Sequence, residues 1–293
     1  MAEDRVSALM QRLEALQLRV SAAESAQQLV ARFAALEARI AAAQEASQPD
    51  TDAAAAAPAA AAPPSAPAPA AAARAAACAA ALEAALSGDD SAVQHRLARE
   101  LAEKGVPGFR FVRVPPDYYE RPLAWRQGVL GAASVHHLCK SIIMENTRAH
   151  PSVKGWEDPH NSKYYCVVVQ YTARFNNEKL CAHLHKLNGG KVGKKWFNLR
   201  LCPEDVSDSL SGFGHNGVSP VGLAARVPII LSHRITQLTP DFFFMGGGEV
   251  DLKLGLSAAD FAAAYAGQPL MVADCTYDDE GAGDGGEEEP PCG

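Results

Sequence analysis

Residues 47–72, SQPDTDAAAAAPAAAAPPSAPAPAAA, constrain this chain more than any other stretch. Each proline removes a helix hydrogen bond and blocks the preceding turn, while alanine offers too little surface to anchor a core. The tract therefore reads as an extended linker, and it splits the chain. Of the 293 residues, 48% are hydrophobic, but much of that is alanine in the first third, so one ordinary domain is expected rather than two. The division expected is a coiled-coil helix over 1–46, the linker over 47–72, an Ala-rich helix over 73–89, a globular domain over 90–277 and an acidic tail over 278–293.

Before the linker, Val6, Leu9, Leu13, Leu16 and Val20 alternate three and four apart, the seam of a coiled coil. Leu29, Phe33, Leu36 and Ile40 resume that spacing out of phase, which predicts a register break or a hairpin. Such a helix self-associates, docks on a partner, or packs on its own domain. Seven cysteines without a CxxC pair fit neither a disulfide framework nor a zinc ribbon, and point to a reducing compartment. The N-terminus lacks the apolar run of a secretory signal, and no long apolar stretch is present to span a membrane. A cytoplasmic protein is expected, with import into an organelle left open. Net charge is -7, yet residues 90–277 carry 21 Lys/Arg against 17 Asp/Glu and residues 278–293 carry seven acids and no base. A mildly basic body with acidic ends suits a polyanionic partner.

In the globular part, SAVQHRLARELAEKG follows a fresh N-cap and ends at Gly105, and FRFVRV alternates like a strand. KYYCVVVQYT is an apolar strand, residues 176–187 a helix, WFNLRL a strand, and PEDVSDSL a short helix begun by Pro203. VPIILS, DFFFMGG and VDLKLG read as strands, with LSAADFAAAYAG as the last helix, closed by Gly267. Without strict strand-helix alternation, the fold class is α+β, with a mixed and mostly antiparallel sheet.

Five motifs invite chemistry. In GHNGVSPVG (214–222), Ser219 resembles the serine of a nucleophile elbow, but the following residue, whose N–H must face the oxyanion, is Pro220. A serine nucleophile is thus excluded, and the stretch offers backbone instead, or simply a rigid turn. GGKVGKK (189–195) lacks one spacer residue of a phosphate loop and has Lys195 where a magnesium-binding hydroxyl belongs. Lys186, Lys191, Lys194, Lys195 and Arg200, interleaved with Trp196 and Phe197, still make the densest basic cluster, either a phosphate-contacting surface or a solvated face. His136, His137, His183 and His185 have no partners at metal-binding spacing, so no metal or other cofactor is expected. Gly246 to Gly248 allow close backbone approach or a plain turn. Lys140 opens the buried run SIIM and needs a carboxylate or an anionic ligand unless it stays at the surface.

In order, CKSIIM, PEDVSDSLSGFGHNGVSPVGL, VPIIL and DFFFMGGGEVDLKLG resemble the YbaK/aminoacyl-tRNA-editing domain family, related to the editing insertion of bacterial prolyl-tRNA synthetases. The resemblance covers about residues 90–277. It implies a compact α+β domain that hydrolyses amino acids wrongly esterified to tRNA, typically cysteinyl- or alanyl-tRNA(Pro). It places the family's lysine on Lys140, as the catalytic residue, with Ser141 beside it. The substrate wall it implies comprises Asn216, Gly217, Val218, Ser219, Pro220 and Gly222, with the glycine turn on Gly246 and Gly247 and an acid on Asp251. Asn216 departs from the family, which has glycine there. Hydrolysis of an activated ester needs a placed water and oxyanion donors rather than a catalytic triad, and the N–H groups of Gly217 and Val218 could face the carbonyl. The expected partners are tRNA, bound through the basic cluster, and a synthetase or a second copy through the coiled coil, with no membrane. A non-catalytic adapter that only binds tRNA or a synthetase is the alternative.

Overall fold

The computed structural model describes residues 69–277 except Ser87, Asp89 and Gln268. The expected coiled coil, nearly all of the linker and the acidic tail lie outside these residues. Six α-helices and eight strands follow in the order α1 (Pro69–Ala85), α2 (Ala92–Glu103), β1 (Arg110–Arg113), α3 (Leu123–Leu130), β2 (Cys139–Asn146), β3 (Tyr164–Gln170), α4 (Asn177–Leu187), β4 (Leu199–Leu201), α5 (Glu204–Ser211), β5 (Ile229–Ser232), β6 (Phe243–Gly246), β7 (Leu252–Leu256), α6 (Ala258–Ala264) and β8 (Leu270–Ala273).

The strands form a three-stranded sheet, β1-β7-β6, and a five-stranded sheet, β4-β2-β3-β5-β8. Pairings are antiparallel except β3 with β5 and β5 with β8, which run parallel. The fold is therefore α+β with mixed, mostly antiparallel sheets, as the pattern of elements predicts. A Leu138–Phe244 bridge brings β6 alongside the start of β2. In β3, Tyr165 to Gln170 are all buried because the strand lies inside its sheet with both faces covered. Val168 and Cys166 face the larger core, and Val167 and Val169 face the core under α4.

Local chemistry sets the helix starts. The Ser91 hydroxyl accepts from the Gln94 amide at 3.1 Å, opening α2, whose Leu97 and Leu101 are fully buried. Each such side chain contributes about 1.5–3 kcal/mol of burial. The Asn176 side chain caps α4 through the Lys179 amide at 3.0 Å, with Glu178 in its first turn and His185 and Lys186 in its last, the order the helix dipole favours.

Three features differ from expectation. Helix α1 begins at Pro69, inside the tract read as linker, because proline is tolerated in a first turn. Its Ala81, Leu82 and Ala85 join the larger core. WFNLRL is a strand only over Leu199–Leu201, with Lys194–Trp196 in a 3-10 turn. Strand β8 was not expected at all, since its residues are only partly covered and carry no clear alternation.

Candidate functional site

Two glycine-rich segments meet backbone to backbone. The Gly248 amide donates to the Gly217 carbonyl at 2.9 Å, which fixes the 214–222 loop on the turn after β6. The contact demands glycine: a Cβ on Gly246 would lie 2.2 Å from the Val218 carbonyl oxygen, and one on Gly217 would lie 3.1 Å from that of Gly248. Close approach is thus the reason for the glycines here, and the turn and the loop form one wall.

Within the loop, the resemblance-based residues separate into those that face outward and those that hold the loop. Asn216 is exposed and is the one described non-glycine residue with positive φ, at 60°. Asparagine tolerates this left-handed conformation better than most residues, which explains how it can stand where the family has glycine. Gly217 is buried and its amide donates to the Gly214 carbonyl at 3.0 Å, so it is not free to face a substrate. The Val218 amide has no acceptor among the described residues, and Val218 is only partly buried. Of the two amides expected to face a carbonyl, only that of Val218 lacks an acceptor among the described residues. Ser219 is fully buried and its Oγ accepts from the Val221 amide at 3.2 Å, so it shapes the turn and lines no cleft. Pro220 and Gly222 are buried beside it. The Gly222 carbonyl accepts from Arg96 at 2.7 Å, and a Cβ there would meet Leu97 at 2.2 Å, so this glycine seats α2 instead of substrate.

Lys140 and Ser141 are neighbours on β2 and therefore project to opposite faces. Ser141 shares the face of Cys139 and Ile143, toward the larger core, where its hydroxyl is buried with no partner among the described residues. Lys140 is half-buried on the other face, its Nζ 5.7 Å from the centre of the Tyr171 ring. It forms no ion pair with a described carboxylate.

The acid expected after the glycine turn does not point inward. Asp251 is half-exposed and pairs with Arg113 at 2.9 Å, because it precedes the strand proper and sits in the turn. The inward charge of this segment is Lys253, only 4% exposed, in a strand buried along its whole length. Its Nζ donates to the Tyr119 hydroxyl and, at 2.9 Å, to the Val250 carbonyl, and lies 4.5 Å and 5.4 Å from the Tyr119 and Tyr118 ring centres. Burial pushes its pKa down to about 8; Asp251 opposes that shift and Arg126 adds to it.

Tyr119 links these parts. Its hydroxyl donates to the Asn216 carbonyl at 2.8 Å, receives Lys253, and shares a hydrogen bond with Tyr171, the ring beneath Lys140. Burial first, then the Tyr171 and Tyr118 hydroxyls, hold the Tyr119 phenol well above its ordinary range, so it stays a neutral donor. Buried Arg126 stacks at 5.6–5.8 Å over Tyr118, Tyr119 and Tyr171, with donors on the Arg121 and Tyr119 carbonyls. Tyr118, Tyr119, Arg126, Tyr171 and Lys253 were not singled out from sequence. The available signal was one lysine between the apolar Leu252 and Leu254 of VDLKLG.

The basic cluster lies elsewhere. Lys186, Lys191, Lys194, Lys195 and Arg200 are all exposed, on the end of α4, the following loop, the 3-10 turn and β4. Lys195 Nζ lies 5.2 Å from the Trp196 ring, whose other neighbour is His150 at 4.9 Å. Asn146 binds this region to the far end of β2 through the Trp196 carbonyl and the Asn198 amide, both at 2.9 Å. Six residues of strand, about 20 Å, separate that end from Lys140.

Among the described residues no helix is long and apolar enough to cross a membrane. No curated protein matches the chain. Its structure is similar to the crystal structure of a candidate trans-editing enzyme for prolyl tRNA synthetase, with 19% identity and a TM-score of 0.48, covering 65% of this chain and 100% of that one. It is also similar to a hypothetical protein, with 20% identity and a TM-score of 0.46, covering 62% and 99% of the two chains. Residues 130–264 match the model of the aminoacyl-tRNA editing domain.

Proposed function

We propose that the protein is a trans-acting aminoacyl-tRNA deacylase, which cleaves the ester between a wrongly attached amino acid and the tRNA terminus, with cysteinyl- and alanyl-tRNA(Pro) as its first candidate substrates. The family supports editing chemistry, and one observation carries the site: the free Val218 amide on a wall of backbone glycines, joined through Tyr119 and Tyr171 to Lys140. Water attacks the ester carbonyl, the oxyanion forms against Val218 N–H, and the carbon–oxygen bond to the ribose breaks, with the ribose oxygen taking up a proton. A single oxyanion donor of this kind is worth about 10²–10³ in kcat. Lys140 holds the ribose or terminal phosphate and so places the ester. No serine nucleophile is used, consistent with the burial of Ser219.

The exposed lysines from Lys186 to Lys195, with Arg200, serve as a separate tRNA contact, which keeps the polyanion docked while the terminus reaches the glycine wall. That separation also supports a second reading, an adapter that binds tRNA through this surface and hydrolyses nothing. Purified protein mixed with mischarged cysteinyl- and alanyl-tRNA(Pro) is expected to release the amino acid, and Lys140→Ala to abolish release while leaving tRNA binding intact. Equal release by that variant would remove Lys140 from the site. Tight tRNA binding with no release across a panel of mischarged tRNAs would establish the adapter.

A further inference from the structure

Three cations converge on three tyrosines, and none of the three forms an ion pair with a carboxylate among the described residues. Lys253 lies on Tyr118 and Tyr119, Arg126 on Tyr118, Tyr119 and Tyr171, and Lys140 on Tyr171. Lys253 and Arg126 are 4% and 6% exposed. Their hydrogen bonds go to a phenol and to the backbone carbonyls of Val250, Arg121 and Tyr119. Asp251, two residues from Lys253 in sequence, is half-exposed and pairs with Arg113. Buried charge is costly unless compensated, and like charges brought together add to that cost. A chain gains nothing structural from assembling this group, since apolar side chains would fill the same space more favourably.

We propose that Lys253 and Arg126, with Lys140 at the mouth, form a receptor for an anionic oxygen group of the substrate beside the Asn216–Val218 wall. This deepens the deacylase reading and rests on it only for where the substrate lies. Tyr119 sets the distance, since one hydroxyl binds both Lys253 and the Asn216 carbonyl. The cluster is hostile to a free α-ammonium group, so the amino end of an aminoacyl ester points away from Lys253. Two parts of an aminoacyl-tRNA carry the right chemistry: a phosphate of the terminal nucleotide, and the side-chain carboxylate of an acidic aminoacyl group.

Binding of small non-hydrolysable probes to the full chain separates these sources without relying on turnover. Adenosine 5′-monophosphate is compared with adenosine, and the 3′-aspartylamide of 3′-amino-3′-deoxyadenosine with its asparaginyl counterpart, by calorimetry at pH 7. The charged member of at least one pair is expected to bind on the order of tenfold or more tightly, as hydrogen bonds to charged groups do. Lys253→Met should erase that preference and Lys253→Arg should retain most of it, with thermal melting confirming that both variants fold. A preference in the nucleotide pair assigns phosphate, and one in the amide pair assigns carboxylate. Equal binding within both pairs, or a preference untouched by Lys253→Met in a folded protein, would overturn the receptor. A charge preference with no ester hydrolysis would instead defeat the deacylase reading and leave the receptor standing.

Discussion

Replacing Lys253 by methionine is expected to stabilise the protein at neutral pH, contrary to the usual effect of altering a buried residue. The lysine's ordinary pKa of 10.5 falls to about 8 in the fold, chiefly through burial. At about 1.4 kcal/mol per unit, keeping the ammonium charged at pH 7 costs about 3 kcal/mol relative to the unfolded chain. Methionine fills a similar volume without that charge, but it gives up the bonds to Tyr119 and Val250, worth about 1 kcal/mol each. A net gain of about 1 kcal/mol remains, or roughly 2–4 °C in Tm for a domain of this size. The sign with pH follows from a depressed folded pKa. Below pH 8 both states are protonated and the penalty is fully present. Between about 8 and 10.5 the folded lysine has lost its proton while the unfolded one keeps it, so wild-type stability rises through that window. The advantage of the variant should therefore shrink from pH 8 upward, vanish near about pH 9 and reverse by about 10.5. Urea unfolding of both proteins at pH 7, 9 and 10.5 measures this directly. A variant less stable than wild type at pH 7, with a difference flat across pH, would refute the view that Lys253 is a charge held at a cost in stability.

Other expectations follow from the same contacts. Gly246→Ala sets a Cβ against the Val218 carbonyl at 2.2 Å, so the loop must move; a loss of about 1–3 kcal/mol by urea unfolding and loss of deacylation are expected. Ser219→Ala should cost about 1 kcal/mol through its bond to the Val221 amide yet retain ester hydrolysis, since a buried hydroxyl bonded within its own turn attacks nothing. Neutralising Lys191, Lys194 and Lys195 to glutamine should weaken tRNA binding at low salt and lower the slope of log affinity against log salt by about 2–3, with hydrolysis of a small aminoacyl-ester analogue unchanged.

The sequence made some of this legible because local chemistry decides it. KYYCVVVQYT reads as a strand from its apolar run, and helices open close to the expected places, after Ser91 and Asn176. Pro220 alone ruled out an elbow serine, and the burial of Ser219 agrees. What escaped depends on contacts far apart in the chain. The reason for glycine at 246 is the Val218 carbonyl, some thirty residues earlier, which no periodicity reports. Asp251 and Lys253 have the same parity in VDLKLG, and only the start of β7 at Leu252 decides which one is buried. Tyr119 and Arg126 come from a segment before the matched family region, and their rings and charges meet Lys140 only once both sheets are assembled. Strand β8 is recruited by β5 and lacks a pattern of its own.

The central claim is that the wall around Val218 hydrolyses an aminoacyl ester. Single-turnover release of labelled amino acid from a panel of mischarged tRNAs, cysteinyl- and alanyl-tRNA(Pro) among them, tests it most directly. The account predicts release well above the spontaneous rate for at least one of them, lost in Lys140→Ala and in Gly246→Ala. Release no faster than the spontaneous rate for every member of the panel, by protein that still binds tRNA, would contradict it.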